Sequence, residues 1–470
     1  MSHGPRVPDR TRSAQRWCPG ALAASIALLM LATACSRRPV WDDIVLISVD
    51  TLRADRLGLY GYGRGTTPQI DRWFADGVVH ERDYATAAST SPSVVSLLTG
   101  LYPSEHRVRL LYQLVPADVR LVTDWLPTSY QTAAIVSNVV LTDEALGIAH
   151  RFDHYDAVVN EKESGREVYE RRAERTTDAA VAWLRDQADP ARPLFLWVHY
   201  IDPHGPYRAP DPWRGRMRHR GSVPVEPERI LAYMRLPGVV DALDCVDRYD
   251  EEVAYVDASV DRRLRALEER RGLDRTLVAF TADHGETMTE RRLWFRHGWH
   301  VFDAIVRVPL RGPGAEKGRS AIPVSGVDVA PTLLRHAGVS PPAGWSDVNL
   351  RRLAVPSAER PVFTEATVAD GRWLAAVQGK RKAMLQVYPE HRLGASLAFD
   401  LATDPSEDPL RIAPQGDALI ATLAARAAQD AALVPDVAGA RHGPPTTGPN
   451  IDPRVKGEAE AQLRALGYLE

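Results

Sequence analysis

Three segments of this chain each close a run of apolar, largely β-branched or aromatic residues on a carboxylate. They are Ile44-Val45-Leu46-Ile47-Ser48-Val49-Asp50, the stretch PLFLWVHYID ending at Asp202, and TLVAFTAD ending at Asp283. Near-continuous apolar runs of this kind suit parallel strands buried on both faces. Helical spacing lies between them, over 166–187 and again over 247–271, where Val253, Val256, Val260, Leu264 and Leu267 recur on one face. Strand and helix alternating in this way predict an α/β fold: a doubly wound, mostly parallel sheet flanked by helices. In such sheets the site lies beyond the carboxyl ends of the strands, which is where the acids and their neighbouring histidines fall. A composition of 44% hydrophobic and 25% charged residues is ample for the core this fold requires.

The texture changes after about residue 341. Short strands are predicted at 372–378, 382–388 and 396–401, then a helix over 416–432, a Pro/Gly-rich connector over 434–453 and a terminal helix over 458–466. The expected organisation is a leader over 1–35, a catalytic domain over 36–340 and a smaller C-terminal α+β subdomain over 341–470.

The leader carries Arg6, Arg10, Arg12 and Arg16 ahead of an apolar run that ends in Leu31-Ala32-Thr33-Ala34-Cys35. This pattern resembles a bacterial lipoprotein signal, and the run is shorter than the roughly 20 residues a spanning helix needs. The expectation is an exported protein on the periplasmic face, with Cys35 lipidated and the membrane engaged by that anchor alone. Beyond Cys18 and Cys35 only Cys245 remains, so neither a disulfide framework nor a cysteine-rich metal site can form. A net charge of −3 gives no case for nucleic acid as a partner.

An acid after a strand is more often a helix cap or turn residue than a ligand. Three such acids, two with histidines beside them, together with a hydroxyl-rich loop running into an apolar helix (ASTSPSVVSLLTG, 88–100), form a stronger pattern. Converging on one sheet edge, they would supply an oxygen and nitrogen site for two metal ions. In the loop, Thr90 or Ser91 is expected to cap the following helix and Pro92 to occupy its first turn.

The order of the motifs DTLRADRLGLYGY (50–62), TTPQIDRWFADG (66–77), TSPSVVSLLTGLYPSEH (90–106), DPHGPY (202–207), TADHGE (281–286), HGWHVFDAIVRVPLRGPG (297–314) and VDVAPTLLRHAGV (327–339) resembles that of sulfatase-like enzymes of the alkaline phosphatase superfamily. The resemblance implies hydrolysis of phosphate or sulfate esters with metal ions at the site. It also locates departures. Sulfatases place Cys or Ser, later oxidised to formylglycine, where this chain has Thr90, and Arg where it has Val94. They have a second acid where Thr51 stands, and Asn where His284 stands.

These departures resemble the phosphatase and phosphodiesterase members, and the roles they imply are as follows. Asp50, Thr90, Asp283 and His284 would surround one ion that activates the Thr90 hydroxyl as nucleophile. Asp202, His204 and His297 would hold a second, with His204 alternatively contacting the substrate. His199 is expected to be a packed strand residue, and His300 is a weaker candidate. An imidazole in place of a side-chain amide favours zinc, with calcium or manganese as alternatives. The expected substrate is a small-molecule, glycan or lipid ester. A formylglycine-independent sulfatase, a headgroup transferase and a non-catalytic anion-binding descendant remain the competing readings.

Overall fold

The computed structural model describes residues 43–162, 169–274, 276–290, 294–312, 316–353, 359–368, 371–408 and 417–433, with residues 1 and 4. The leader with Cys35, the connector over 434–453 and the helix expected over 458–466 lie outside the described residues. The described residues from 43 onward belong to one compact unit.

The strands are β1 (Ile44–Val49), β2 (Val78–Tyr84), β3 (Gln131–Val136), β4 (His154–Asp156), β5 (Glu161–Lys162), β6 (Tyr169–Glu170), β7 (Leu194–Tyr200), β8 (Leu277–Ala282), β9 (Arg307–Gly312), β10 (Gly318–Ser320) and β11 (Val324–Ser325). Apart from the small β5–β6 ladder they build one sheet in the order β10-β2-β9-β8-β1-β7-β3-β4, with β11 also on β2. All pairings are parallel except those of β9, which runs against both β2 and β8. The three runs that close on carboxylates are the three adjacent central strands β7, β1 and β8.

The principal helices are α1 (Pro68–Trp73), α2 (Thr90–Thr99), α3 (Ala173–Asp186), α4 (Ala242–Arg271), α5 (Val329–His336) and α6 (Ala418–Leu433). Alternation along β1 feeds two cores. Ile44 and Leu46 pack with α2 and α5 residues such as Val95, Leu98 and Leu333. Val45, Ile47 and Val49 face α4 through Val253, Val256 and Val260. This two-sided burial is why β1 reads as unbroken apolar sequence rather than as an alternation.

Two helix starts differ from expectation. Residues 169–170 pair with 161–162, and α3 begins only at Ala173, whose N–H donates to the Asp202 carboxylate (2.7 Å). α4 starts earlier, at Ala242, because the Asp241 side chain caps it by accepting from the Leu243 N–H (2.9 Å). The strands β2 and β3 carry no acid-terminated apolar run and were not foreseen.

The expected C-terminal meander is present, with one additional strand ahead of it. β12 (Val362–Val368), β13 (Gly371–Gln378), β14 (Arg381–Val387) and β15 (Leu393–Asp400) form an antiparallel sheet in sequence order. α6 covers one face of it through Leu419, Leu423 and Ala427. Asp430 on α6 accepts from Arg109 (3.0 Å) and Arg372 (2.9 Å), and Arg109 also donates to Glu365 (2.8 Å), all in the interior. Removing one partner of a buried ion network leaves an uncompensated charge. Asp430→Asn should therefore destabilise the protein by about 3 kcal/mol, read as a lowered denaturant midpoint.

Candidate active site

Parallel register places the strand-end acids side by side. Val49 is opposite Ala282 in the β1–β8 pairing and opposite Tyr200 in the β1–β7 pairing, so the residues that follow leave the sheet together. Asp50 and Asp283 are both fully buried. His284 Nε2 lies 3.7 Å from Asp50 Oδ1 and 3.6 Å from Asp283 Oδ2.

Each carboxylate has one oxygen held by the protein and one that is not. Asn138 Nδ2, just past the end of β3, donates to Asp50 Oδ2 (2.6 Å). The backbone N–H groups of His284 (2.7 Å) and Thr51 (3.3 Å) donate to Asp283 Oδ1. Asp50 Oδ1 and Asp283 Oδ2 are buried with no hydrogen-bond partner.

The electrostatics follow from this crowding. Burial raises the Asp50 carboxyl, but the imidazoles of His199, His204 and His284 outweigh it and hold the group below its ordinary range. Burial, reinforced by the Asp50 charge, pushes Asp283 well above the carboxylate range. Burial with His297 beside it lowers the His284 imidazole to about 3.

Local backbone aims these groups. Thr51 follows Asp50 at φ 54°, a left-handed conformation that is strained for a β-branched residue. Tyr249 on α4 clamps this turn: its hydroxyl donates to the Thr51 carbonyl (2.7 Å) and accepts from the Arg53 N–H (3.0 Å). In the DHGE turn, a Cβ on Gly285 would sit 2.4 Å from the Ala304 carbonyl oxygen, so only glycine permits this approach.

Thr90 is the first residue of α2, a helix buried along its whole length. Ser89 occupies the cap position without a side-chain hydrogen bond, so neither Thr90 nor Ser91 caps the helix as expected. Ser91 donates instead to the Val140 carbonyl (3.1 Å). Thr90 Oγ1 turns into the cluster, 3.3 Å from His284 Nε2. The helix presents the positive end of its dipole at this point, which favours an anion.

Three imidazoles share the site. His284 Nδ1 contacts the Gly285 carbonyl (2.9 Å) and His204 Nδ1 the Gly205 carbonyl (2.9 Å). His297 Nδ1 meets Glu286 Oε1 at 3.2 Å. A carbonyl or carboxylate at Nδ1 fixes the proton there and makes Nε2 the lone-pair nitrogen. The His297 ring centroid is 4.5 Å from that of His284 and 5.2 Å from that of His204.

Of the residues singled out from sequence, Asp50, Thr90, Asp283, His284, His204 and His297 come together. Asp202 turns away: one oxygen caps α3 at Ala173, and the other lies 3.8 Å from Arg172, beside Glu252. His300 packs near Phe302 and Trp373. His199 is fully buried on β7, its Nε2 3.6 Å from Asp50 Oδ2. One donor atom each from Asp50, His199 and Asp283 lie within 4.8 Å of one another. Asn138, Glu286 and Tyr249 were not foreseen; Glu286 alone had a signal, in the DHGE motif.

The mostly parallel sheet, with carboxylates, imidazoles and a helix-borne hydroxyl at one carboxyl edge, has an alkaline phosphatase-like fold. Residues 42–339 match the Sulfatase family, and the chain belongs to it. A choline-sulfatase of Rhizobium meliloti (strain 1021) is 36% identical over 167 residues, 34% of this chain and 31% of that protein. An arylsulfatase of Clostridium perfringens (strain 13 / Type A) is 26% identical over 382 residues, 66% of this chain and 78% of that protein. The chain thus spans under a third of the choline-sulfatase and over three quarters of the arylsulfatase. The structure of a phosphonate monoester hydrolase of Agrobacterium radiobacter superposes with a TM-score of 0.60 at 19% identity, covering 83% of this chain and 95% of the other. Among the described residues, no helix is long and apolar enough to cross a membrane.

The two environments of the acids separate their roles experimentally. Asp202→Asn keeps an oxygen for the Ala173 N–H and should leave the metal content of the purified protein unchanged. Asp283→Asn should abolish it. Loss of metal from Asp202→Asn would return Asp202 to the ligand set.

Proposed function

We propose that this protein hydrolyses a phosphate or sulfate ester through Thr90 as nucleophile, with phosphate mono- and diesters favoured. The observation that carries this reading is the Thr90 hydroxyl, set at a buried helix N-terminus 3.3 Å from His284 Nε2, beside two carboxylate oxygens without partners.

The donor set fits a divalent cation: Asp50 Oδ1, Asp283 Oδ2, His284 Nε2 and Thr90 Oγ1 are mixed oxygen and nitrogen donors of the kind zinc or manganese accepts. Such an ion, when bound, supplies Lewis acidity that polarises an ester oxygen and favours the ionised hydroxyl. Asn138 and the backbone N–H groups of Thr51 and His284 hold the outer carboxylate oxygens in place. The start of α2 orients the anionic ester. The His204 and His297 rings stand beside that of His284, and Glu286 holds the His297 ring through Nδ1. With Asp202 turned toward α3, this pair suits contact with the ester or its departing oxygen better than a complete second ion site.

Chemistry favours phosphorus. A formylglycine hydrate can expel sulfate by collapsing to the aldehyde, whereas a threonine ester has no such exit. Water must then attack the covalent intermediate at the transferred group, restoring the Thr90 hydroxyl. Val94, buried and uncharged, stands where the family resemblance places an arginine. A site with less cationic charge is better matched to a singly charged diester than to a dianion. Export behind the leader with a lipid on Cys35 belongs to this proposal and rests on sequence.

The test is turnover of chromogenic phosphodiester, phosphate monoester, phosphonate and sulfate substrates, before and after chelation. The diester should be cleaved fastest and chelation should abolish turnover. Thr90→Ala should lower kcat by on the order of 10³-fold or more while metal remains bound. Undiminished activity in that variant would remove Thr90 as nucleophile, and preferential cleavage of sulfate would overturn the phosphorus preference.

A further inference from the structure

His199 sits where a ligand could be, close to Asp50 and Asp283, yet its other ring nitrogen tells a different story. Its Nδ1 lies 2.9 Å from Ser48 Oγ. That same oxygen accepts from the Trp197 indole Nε1–H at 2.9 Å. All three side chains are fully buried. An indole nitrogen can only donate, so one lone pair of Ser48 is taken.

The hydroxyl hydrogen of Ser48 still needs an acceptor, and buried polar groups are rarely left unpaired. Nδ1 of His199 is the acceptor that the geometry offers. If Nδ1 accepts, the proton of the neutral ring is on Nε2, which faces Asp50 Oδ2 across 3.6 Å. The opposite tautomer would strand the Ser48 hydroxyl and point a nitrogen lone pair at a carboxylate oxygen.

We infer that His199 is a positioning residue rather than a metal ligand: the bonds from Trp197 to Ser48 and from Ser48 to His199 turn an Nε2–H toward Asp50 Oδ2, which it faces at 3.6 Å without a hydrogen bond. Asn138 donates to that same oxygen, so the Asn138 hydrogen bond and the nearby His199 N–H both act electrostatically on Oδ2, while Oδ1 faces His284. Trp197, Ser48 and His199 thereby decide which oxygen of Asp50 a cation meets. This inference rests on the cation site proposed above, but its first readout does not need the ion.

Nitrogen NMR of ¹⁵N-histidine-labelled wild-type protein, stripped of metal, should show His199 with Nε2 protonated and Nδ1 as hydrogen-bond acceptor. A protonated Nδ1 would overturn the inference, whatever the fate of the proposed activity. The second readout is zinc affinity by calorimetry. His199→Phe should weaken binding about 10–100-fold, the range typical of groups that orient ligands. His199→Gln, which can return an N–H toward Asp50, should recover most of that loss. A glutamine variant as weak as the phenylalanine variant would overturn the positioning role. Wild-type protein that binds no zinc, manganese or calcium, with the Nε2–H tautomer nevertheless present, would sink the cation reading and leave the relay standing.

Discussion

Two buried carboxylates next to one imidazole nitrogen are the constraint on which this site depends. Adjacent parallel strands β1 and β8 in register put Asp50 and Asp283 beside each other. Both are removed from water, where unscreened like charges repel strongly and each ion loses its hydration. The protein offsets part of this with donors, but it places them asymmetrically. Asn138 addresses Oδ2 of Asp50, and two backbone N–H groups address Oδ1 of Asp283. The inner oxygens face His284 without a donor. A pair of acids satisfied only on the outside leaves two unpartnered oxygens turned inward, the feature on which the proposed cation site rests. The left-handed Thr51 belongs to the same arrangement, since that conformation turns its N–H toward Asp283. Tyr249 holds the strained turn from the helix behind it.

What could be read in the chain follows from how locally each feature is encoded. Strands β1, β7 and β8 are buried on both faces and end on acids, so periodicity and punctuation reveal them together. β2 has His80, Glu81, Arg82 and Asp83 in its middle and looks like a polar segment. One of its buried polar groups is met from far along the chain, by the Leu350 carbonyl at His80 Nε2 (2.9 Å). Asn138 was invisible for a related reason: nothing in SNVVL marks it until β3 is set beside β7. Asp202 illustrates the reverse. Its motif promised a ligand, but rotation of one side chain toward the N-terminus of α3 is decided by Arg172 and Ala173, which no spacing within DPHGPY reports.

The hydroxyl at the start of α2 is where fold and chemistry meet most closely. Ser89, Thr90, Ser91 and Ser93 are close in sequence and equal in type, and capping rules would spend one of them on the helix. The structure caps with none of them. Ser91 bonds to the Val140 carbonyl and Ser93 to the Asp283 carbonyl, so both anchor the helix rather than face the cluster. Thr90 alone turns to His284. With every residue of α2 buried, the helix cannot slide to offer a different hydroxyl. Selection of Thr90 is therefore a packing result as much as a chemical one. Ser91 and Ser93 are committed to backbone carbonyls, and the methyl-bearing residue is the one left facing His284. Val94, one turn further along, completes the same buried face, where a guanidinium would need a partner that the surrounding apolar core does not provide.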